Sequence, residues 1–480
     1  MAREIFQGNF NAEDQLHLRF GVWVFNWIAF QLLGVSEFSF FLPTVLMSAS
    51  FSVIGYFVLV SKKTPRHYAF LAGLAIASAP FEILTGTLRA NDLILSWLLA
   101  IGFALLIRFE KRPVLQGISV SFFLWFGFHV KLWVVYLVPV LALYFLLQIV
   151  QKNWKGFCSF AAFSALLHGI TMIVMREITG FFMPFLHAHA ATYPVPAHDL
   201  PILFLMYPKY LFQGEEFGNT LFGSIPFLLI FGLGIKFYFS TLKSNTKRRL
   251  DRLDYCLLCY YGTFFLFINF FPNSFVFDQY YSAPRIFRYL SPLSFPMTLH
   301  LVKLVLDIFH CRKVQWRLAS FMPALILMGI SAVNLLQAHH STAPGRTYHQ
   351  TVKKVSQEIA DAAPPRLLVE VWLSFFMENF YLKEANSRIE VFPILNTSHV
   401  SEYENWLSLN QSKQPKGTML LTGLGSCVHY NVTYKGFQLT QFQNPLHASW
   451  KMFKEFNVLD YLPYPEPARL WVLSEKIESK

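Results

Sequence analysis

NDLILSWLLAIGFALLI (Asn91–Ile107) is the stretch on which the reading of this chain turns. Its one charge, Asp92, stands at the start, and Arg108, Lys111 and Arg112 follow directly after it. As a helix rising about 1.5 Å per residue, the run spans most of the hydrocarbon thickness of a bilayer. There each backbone group must find its partner inside its own helix. A helix in a soluble core would show a charged face at helical period, and this run has none. The pattern recurs. From near Phe40 onward the chain strings together at least nine apolar stretches of roughly 15 to 20 residues, the length needed to span. Besides Asn91–Ile107, the clearest are Thr44–Val60, Leu132–Val150, Phe157–Val174, Leu221–Leu242, Tyr255–Phe271 and Leu318–Ala338. The sequence therefore predicts an α-helical polytopic membrane protein.

Composition agrees with this: 54% of residues are hydrophobic, 14% are charged, and Phe occurs 52 times. The mean hydropathy is +0.39. A formal charge of +12 would suggest a nucleic-acid partner in a soluble protein. Here the cations collect in short gaps between apolar runs, so no nucleic acid is expected and the positive-inside rule accounts for them. Five cysteines, at 158, 256, 259, 311 and 427, are too few and too scattered for a disulfide framework. Cys256 and Cys259 form a CxxC inside an apolar run with no second pair, which argues against a metal or redox role. Met1–Arg19 is polar and lacks the apolar core of a cleavable signal.

Five gaps are rich in cations: Lys62/Lys63/Arg66, Arg108/Lys111/Arg112, Lys152/Lys155, Lys243/Lys247/Arg248/Arg249/Arg252 and Arg312/Lys313/Arg317. All five fall on the cytoplasmic side if Val114–Phe128 is a short span returning at His129–Lys131. Thr85–Arg89, His129–Lys131, Arg176–Asn219 and Pro272–Arg288 then lie outside, as do both ends of the chain. About ten spans result, over residues 1–338. From 339 to 480 hydropathy drops. Strand-like runs (Arg366–Trp372, Ile389–Ile394, Thr418–Leu421) mix there with helical ones (Tyr348–Ala362, Val400–Ser408), which predicts a small extracytoplasmic α/β domain. Phe20–Leu33, with Trp23, Asn26, Trp27 and Gln31, and Leu200–Phe212, with Tyr207, Lys209 and Tyr210, read as helices lying at the headgroup level, a distorted span being the other reading.

Charges near a membrane mark functional sites by default, and the notable ones fall on the outer side. Arg89 and Asp92 lie one helical turn apart and would pair; a solvated helix start with Asn91 or Asp92 as cap explains them equally well. Arg285 and Arg288 share a helix face at the mouth of a span. Two guanidiniums there suit a phosphate or diphosphate, with headgroup snorkelling the plainer reading. His129 and Lys131 add a cation at the same level. His187 and His189, near His198, Asp199, Glu215 and Glu216, have a spacing that zinc would accept, in a long Pro-rich loop that speaks against it. No P-loop, G-x-S-x-G, H-E-x-x-H or dinucleotide fingerprint occurs.

Taken in order, Arg19-Phe-Gly, Trp27, Leu33-Gly-Val-Ser-Glu-Phe, Leu88-Arg-Ala-Asn-Asp-Leu, Gly127-Phe-His-Val-Lys131 and Arg285-Ile-Phe-Arg-Tyr-Leu-Ser-Pro resemble the GT-C membrane glycosyltransferases that use dolichyl- or polyprenyl-phosphate sugars. The nearest members in character are the protein O-mannosyltransferases and the lipid A aminoarabinose transferase, and the likeness covers about residues 1–335. It implies transfer of a sugar, with inversion, from a polyprenyl-phosphate donor to a lipid, glycan or protein acceptor at the outer face of the membrane. By the resemblance Asp92 matches the second acidic position and is the catalytic residue. Arg19, Arg89, Lys131, Arg285, Arg288 and Tyr289 would bind substrate. A divalent cation (Mg or Mn) is compatible, no other cofactor is implied, and no dedicated metal site is assigned. In family members a span and an acidic pair precede the Ala-Arg-Glu-Ile-x-x-Gly that stands here at Ala2–Gly8. The resemblance thus places a first span and its acids upstream of residue 1, unless the activity has been lost. A bacterial inner membrane is expected, with the endoplasmic reticulum as the alternative. The rival functions are a secondary transporter and a non-catalytic lipid-carrier-binding relative.

Overall fold

The computed structural model describes residues 19–87, 91–150, 154–182, 193–195, 197–212, 222, 224–242, 250–271, 280–282, 287–310, 322–370, 377–382, 389–394, 415, 418–422, 437–441 and 469–473. Two compact units form. One comprises Met1–Gly34 and Phe38–Ser341, the other Val35–Glu37 and Thr342–Lys480.

Apolar runs become helices because only helices satisfy their backbone internally in lipid. In the first unit these are α1 (Phe20–Leu33), α2 (Glu37–Ser61), α3 (Arg66–Ala77), α4 (Pro80–Thr87), α5 (Asn91–Arg108) and α6 (Pro113–Phe128). A 3-10 turn, Leu132–Leu137, leads into α7 (Val138–Val150). Then come α8 (Trp154–Thr179), α9 (Leu200–Phe212), α10 (Ile225–Leu242), α11 (Arg252–Phe270), α12 (Ser291–His310) and α13 (Met322–Ala362), which passes into the second unit at Thr342. Strands β1 (Tyr193–Val195) and β2 (Tyr280–Ser282) pair antiparallel. α1 stops at Gly34, whose φ of +73° is a left-handed cap that glycine adopts without strain.

Leu143, Leu146, Leu147 and Val150 of α7, Leu166, Ile170, Ile173 and Val174 of α8, and Phe227, Ile230 and Phe231 of α10 all stand exposed. Apolar surface in such bands is stable in lipid and not in water. The protein is an integral membrane protein. α2, Leu132–Val150, α8 and α11 are each long and apolar enough to cross a membrane. Other expected spans are shorter or interrupted. α6 has 16 residues. Between Arg66 and Thr87 the chain breaks at Ser78–Ala79, before Pro80 opens α4. Both segments expected at headgroup level are helices of the foreseen extent, Phe20–Leu33 and Leu200–Phe212.

α12 is the hub. Every residue from Ser291 to Leu306 is buried, and the helix touches α3, α4, α5, α10 and α11. A helix surrounded in this way needs no polar stripe. α6 and α8 meet through small residues, as spans do where dispersion rather than the hydrophobic effect drives association. A Cβ on Gly117 would come within 2.5 Å of the Gly156 carbonyl oxygen. The Ser121 hydroxyl donates to the Phe160 carbonyl at 2.7 Å, and Trp125 Nε1 donates to Thr171 Oγ1 at 2.8 Å.

In the second unit, the expected strands are present as β3 (Arg366–Glu370), β4 (Glu390–Ile394) and β5 (Met419–Thr422), joined by β6 (Phe437–Gln441) and β7 (Arg469–Leu473). The sheet order is β4-β3-β5-β7-β6. β3 runs parallel to β4 and β5, while β7 is antiparallel to β5 and β6. Ile359, Leu367, Val369, Met377, Leu382 and Ile389 form the core under it. The helix expected at Val400–Ser408 lies outside the described residues.

Candidate functional site

α5 begins by placing Asp92 in its first turn. The short connection at Phe109–Arg112 sends α6 back along α5, so the end of α6 arrives beside that turn. There Lys131, with extended backbone (φ −159°, ψ 136°), carries the chain from α6 into the 3-10 turn Leu132–Leu137. Lys131 Nζ donates to Asp92 Oδ1. The Asp92 side chain is 3% exposed and that of Lys131 17%. A second 3-10 turn, Phe287–Leu290, leads into α12 and brings Tyr289 over the same ammonium. Lys131 Nζ lies 3.9 Å from the centre of the Tyr289 ring and 4.0 Å from that of Trp133. The two rings stand edge to face, 3.8 Å apart. A cation held by a carboxylate and two aromatic faces is fixed before any ligand arrives. One turn farther along α5, Ser96 Oγ lies 2.7 Å from Ser291 Oγ and donates to the Asp92 carbonyl at 2.8 Å. That contact locks the start of α12 to α5 and so holds Tyr289 in register with Asp92.

Of the residues expected at the site, the structure thus gathers Asp92, Lys131 and Tyr289. Arg19 immediately precedes α1, whose Phe20 ring lies 4.5 Å from the His129 ring, so Arg19 stands at the same end of the bundle. Arg288 belongs to the same 3-10 turn as Tyr289, and its side chain lies outside the described residues. So do Arg89, Arg285, His187, His189, Glu215 and Glu216. The expected Arg89–Asp92 pair therefore lies outside as well, and the partner the structure gives Asp92 is Lys131. Trp133 was not foreseen. Its signal was the aromatic placed two residues after Lys131 on a 3-10 turn.

The opposite end of the bundle holds a charged cluster that sequence reading passed over. Lys236 Nζ lies 2.6 Å from Asp254 Oδ2 and 2.7 Å from Asp307 Oδ2. Lys303 Nζ lies 2.8 Å from Asp254 Oδ1, 2.6 Å from Asp307 Oδ2 and 2.9 Å from Asp251 Oδ2. His300 Nε2 is 3.3 Å from Asp254 Oδ1, and its Nδ1 is 3.0 Å from the Tyr261 hydroxyl. Asp251 and Asp254 also close a capping box at the start of α11. Asp251, Asp254 and Asp307 have the mutual spacing of metal ligands, yet two ammonium groups already occupy the space between them. The cluster clamps α10, α11 and α12 together. Its signal was Lys236 inside an apolar run and the Lys303/Asp307 spacing of four, since charges at membrane depth are found paired.

Beside that cluster, Glu110 joins two of the basic gaps. It accepts from Lys62 at 2.8 Å and from Arg252. Three loops read from sequence as sharing one side thus meet in one ion pair network. Asp92 stands in the first turn of α5 and Glu110 two residues past its end at Arg108; the helix covers about 24 Å between Asp92 and Arg108, most of the thickness of a hydrocarbon core.

No family model matches the chain, and no curated protein matches it. Among solved structures it is similar to a crystal structure of ArnT from Cupriavidus metallidurans bound to undecaprenyl phosphate. Identity is 13%, the TM-score is 0.47, and the match covers 96% of this chain and 88% of that one. At that score and identity the likeness says nothing of individual residues, and the functional reading rests on the side chains described above.

Proposed function

We propose that the chain is a membrane glycosyltransferase of the GT-C kind, with about ten spans. It would take a sugar from a polyprenyl-phosphate carrier and pass it to a lipid, glycan or protein acceptor at the outer face, where the terminal α/β domain would also lie. The observation that carries this reading is the meeting of Asp92, Lys131 and Tyr289 at one rim, with Arg288 beside Tyr289 in the chain.

The reaction is a displacement at an anomeric carbon. The acceptor oxygen bonds to C1, the C1–O bond to the lipid phosphate breaks, and the bonding pair leaves with the phosphate. The acceptor's proton must pass to a base. Asp92, ion-paired with Lys131, orients the acceptor hydroxyl and offers a carboxylate to that proton. Lys131, with Arg288 and Arg285, stabilises negative charge on the departing phosphate. Tyr289 and Trp133 hold the lysine in place, and Arg19 shapes the same mouth. Because the donor is already activated, no nucleotide fold is needed. A bacterial inner membrane is the setting we favour. Among the described residues, no set of three ligands gathers around Asp92. No step here is routed through a divalent cation.

Charges concentrated at the two ends of α5, rather than at its middle, speak against an alternating-access transporter. The test is transfer from radiolabelled polyprenyl-phosphate sugars in proteoliposomes. Asp92→Asn and Arg288→Ala should each lower the rate about a hundredfold or more without loss of membrane insertion. Full activity in both would sink the assignment. Tight carrier binding by the unaltered protein with no transfer to any acceptor would favour the non-catalytic reading.

A further inference from the structure

Away from Asp92, in the half of the first unit toward Glu110, helices α5, α6, α7 and α11 enclose a cavity of about 500 Å³. That lies within the range of sites that bury small-molecule ligands. Its walls are almost wholly apolar, among them Phe103, Leu106, Phe123 and Leu141. Leu143, Leu147 and Tyr255, which also line it, are 54%, 54% and 56% exposed, so the cavity opens sideways between α7 and α11. Lateral opening onto the lipid-facing surface is what admits a hydrocarbon chain.

Arg252, Tyr144 and Gln148 gather at one end of the cavity, while Cys259 and Tyr260 line it farther along α11. Arg252 donates to Glu110 and, at 3.1 Å, to the Tyr144 hydroxyl. Those bonds use two of the five N–H donors of a guanidinium, and the Arg252 side chain is 49% exposed. Gln148 lies one turn beyond Tyr144 on α7 and is 4% exposed. Its Nε2 donates to Gln116, while its Oε1 has no hydrogen-bond partner among the described residues. That oxygen faces Gly156 of α8, so the guanidinium of Arg252 is the group left to meet a ligand. Lys62 comes to the same corner through Glu110. A neutral hydrocarbon would use the walls and none of these groups. An anionic head on a chain uses both.

We propose that this cavity binds one acyl chain of an anionic glycerophospholipid from the leaflet next to Glu110. The phosphate sits on Arg252, on the side of Lys62. The site is separate from the Asp92 rim and does not depend on the transferase reading.

The experiment is native mass spectrometry of the delipidated full chain, titrated with phosphatidylglycerol or phosphatidylcholine of identical C16–C18 chains. One tightly held phosphatidylglycerol is expected, bound at least tenfold better than phosphatidylcholine. Arg252→Gln should bring the two lipids to parity, and Cys256→Trp, which fills the cavity, should abolish the tight adduct for both. Equal affinity of the unaltered protein for the two lipids would overturn the proposal, as would a tight adduct surviving in Cys256→Trp. Should Cys256→Trp fail to fold, competition on the unaltered protein decides. Dodecyl phosphate should displace the lipid, and inorganic phosphate at the same concentration should not. Displacement by inorganic phosphate alone, or preferential displacement by a polyprenyl phosphate, would overturn the assignment.

Discussion

Replacing Lys131 with Met tests whether the pair at the rim is what the geometry says. The change takes the Lys131 ammonium away from the carboxylate of Asp92, which is 3% exposed. Breaking a buried pair from one side costs about 3–5 kcal/mol, and the lower figure applies because Lys131 keeps some access to solvent. Losing the ring contacts to Trp133 and Tyr289 adds about 0.5–1 kcal/mol each. The variant should therefore be destabilised by about 4 kcal/mol. Asp92→Asn leaves the lysine on its two rings and should cost about half as much. The double variant removes both charges and should cost about 2 kcal/mol, well short of the sum, which gives a coupling of about 4 kcal/mol. Unfolding titrations of the purified protein in mild detergent measure all three. Strictly additive losses would show that the two side chains do not meet. The double variant also separates roles: it should be folded yet inactive, and wild-type transfer by it would remove both residues from the reaction.

Asp254→Asn should destabilise by about 3–5 kcal/mol, since it leaves Lys236 and Lys303, each 7% exposed, short of a carboxylate. The same substitution at Asp307, whose side chain is 34% exposed, should cost less. Glu110→Gln should cost under about 1 kcal/mol, because its partners are substantially solvated and exposed pairs are weak. Burial raises the Glu110 carboxyl's pKa, but the hydrogen bond and charge of Lys62 and the charge of Arg252 outweigh it and hold the pKa below the usual value. A depressed pKa contributes stability above the unfolded value of about 4.3. That contribution disappears as the pH falls through the folded value, so the difference between wild type and Glu110→Gln should vanish in acid. Gly117→Ala should loosen the α6–α8 contact by about 1–3 kcal/mol, because the new methyl would meet backbone of α8, readable as a lower melting temperature. Cysteines introduced at Lys62 and at Trp133 should react with impermeant maleimide from opposite sides of sealed vesicles, and labelling from one side would refute the topology.

How much was legible depended on range. Helix extents followed from apolar runs that local chemistry alone converts into helices, so Phe20–Leu33 and Leu200–Phe212 could be bounded residue by residue. The break at Pro80 was also local, but hydropathy averages over it. Gathering Asp92, Lys131 and Tyr289 needed the folded chain, and sequence supplied only the expectation that their loops share a side. Asp92 was expected to pair along its own helix with Arg89, which lies outside the described residues; its contact with Lys131 comes from the packing of α6 against α5. The Lys236–Asp254–Lys303–Asp307 clamp was least legible. Its partners are separated by as many as 71 positions, and no charge alone names the helix it will meet.

Finally, α5 stands between two anchored charge clusters, one at Asp92 in its first turn and one at Glu110 just past its end, with about 24 Å of helix from Asp92 to Arg108. A rod of fixed length cannot follow the membrane as it swells or thins. In a bilayer much thicker than this, one cluster or the other would be drawn into hydrocarbon unless the helices tilt or the lipid deforms around them, at a cost that rises with each ångström. Turnover should accordingly peak in short-chain lipids matched to α5 and decline as acyl length grows, which makes the protein a gauge of the membrane that houses it.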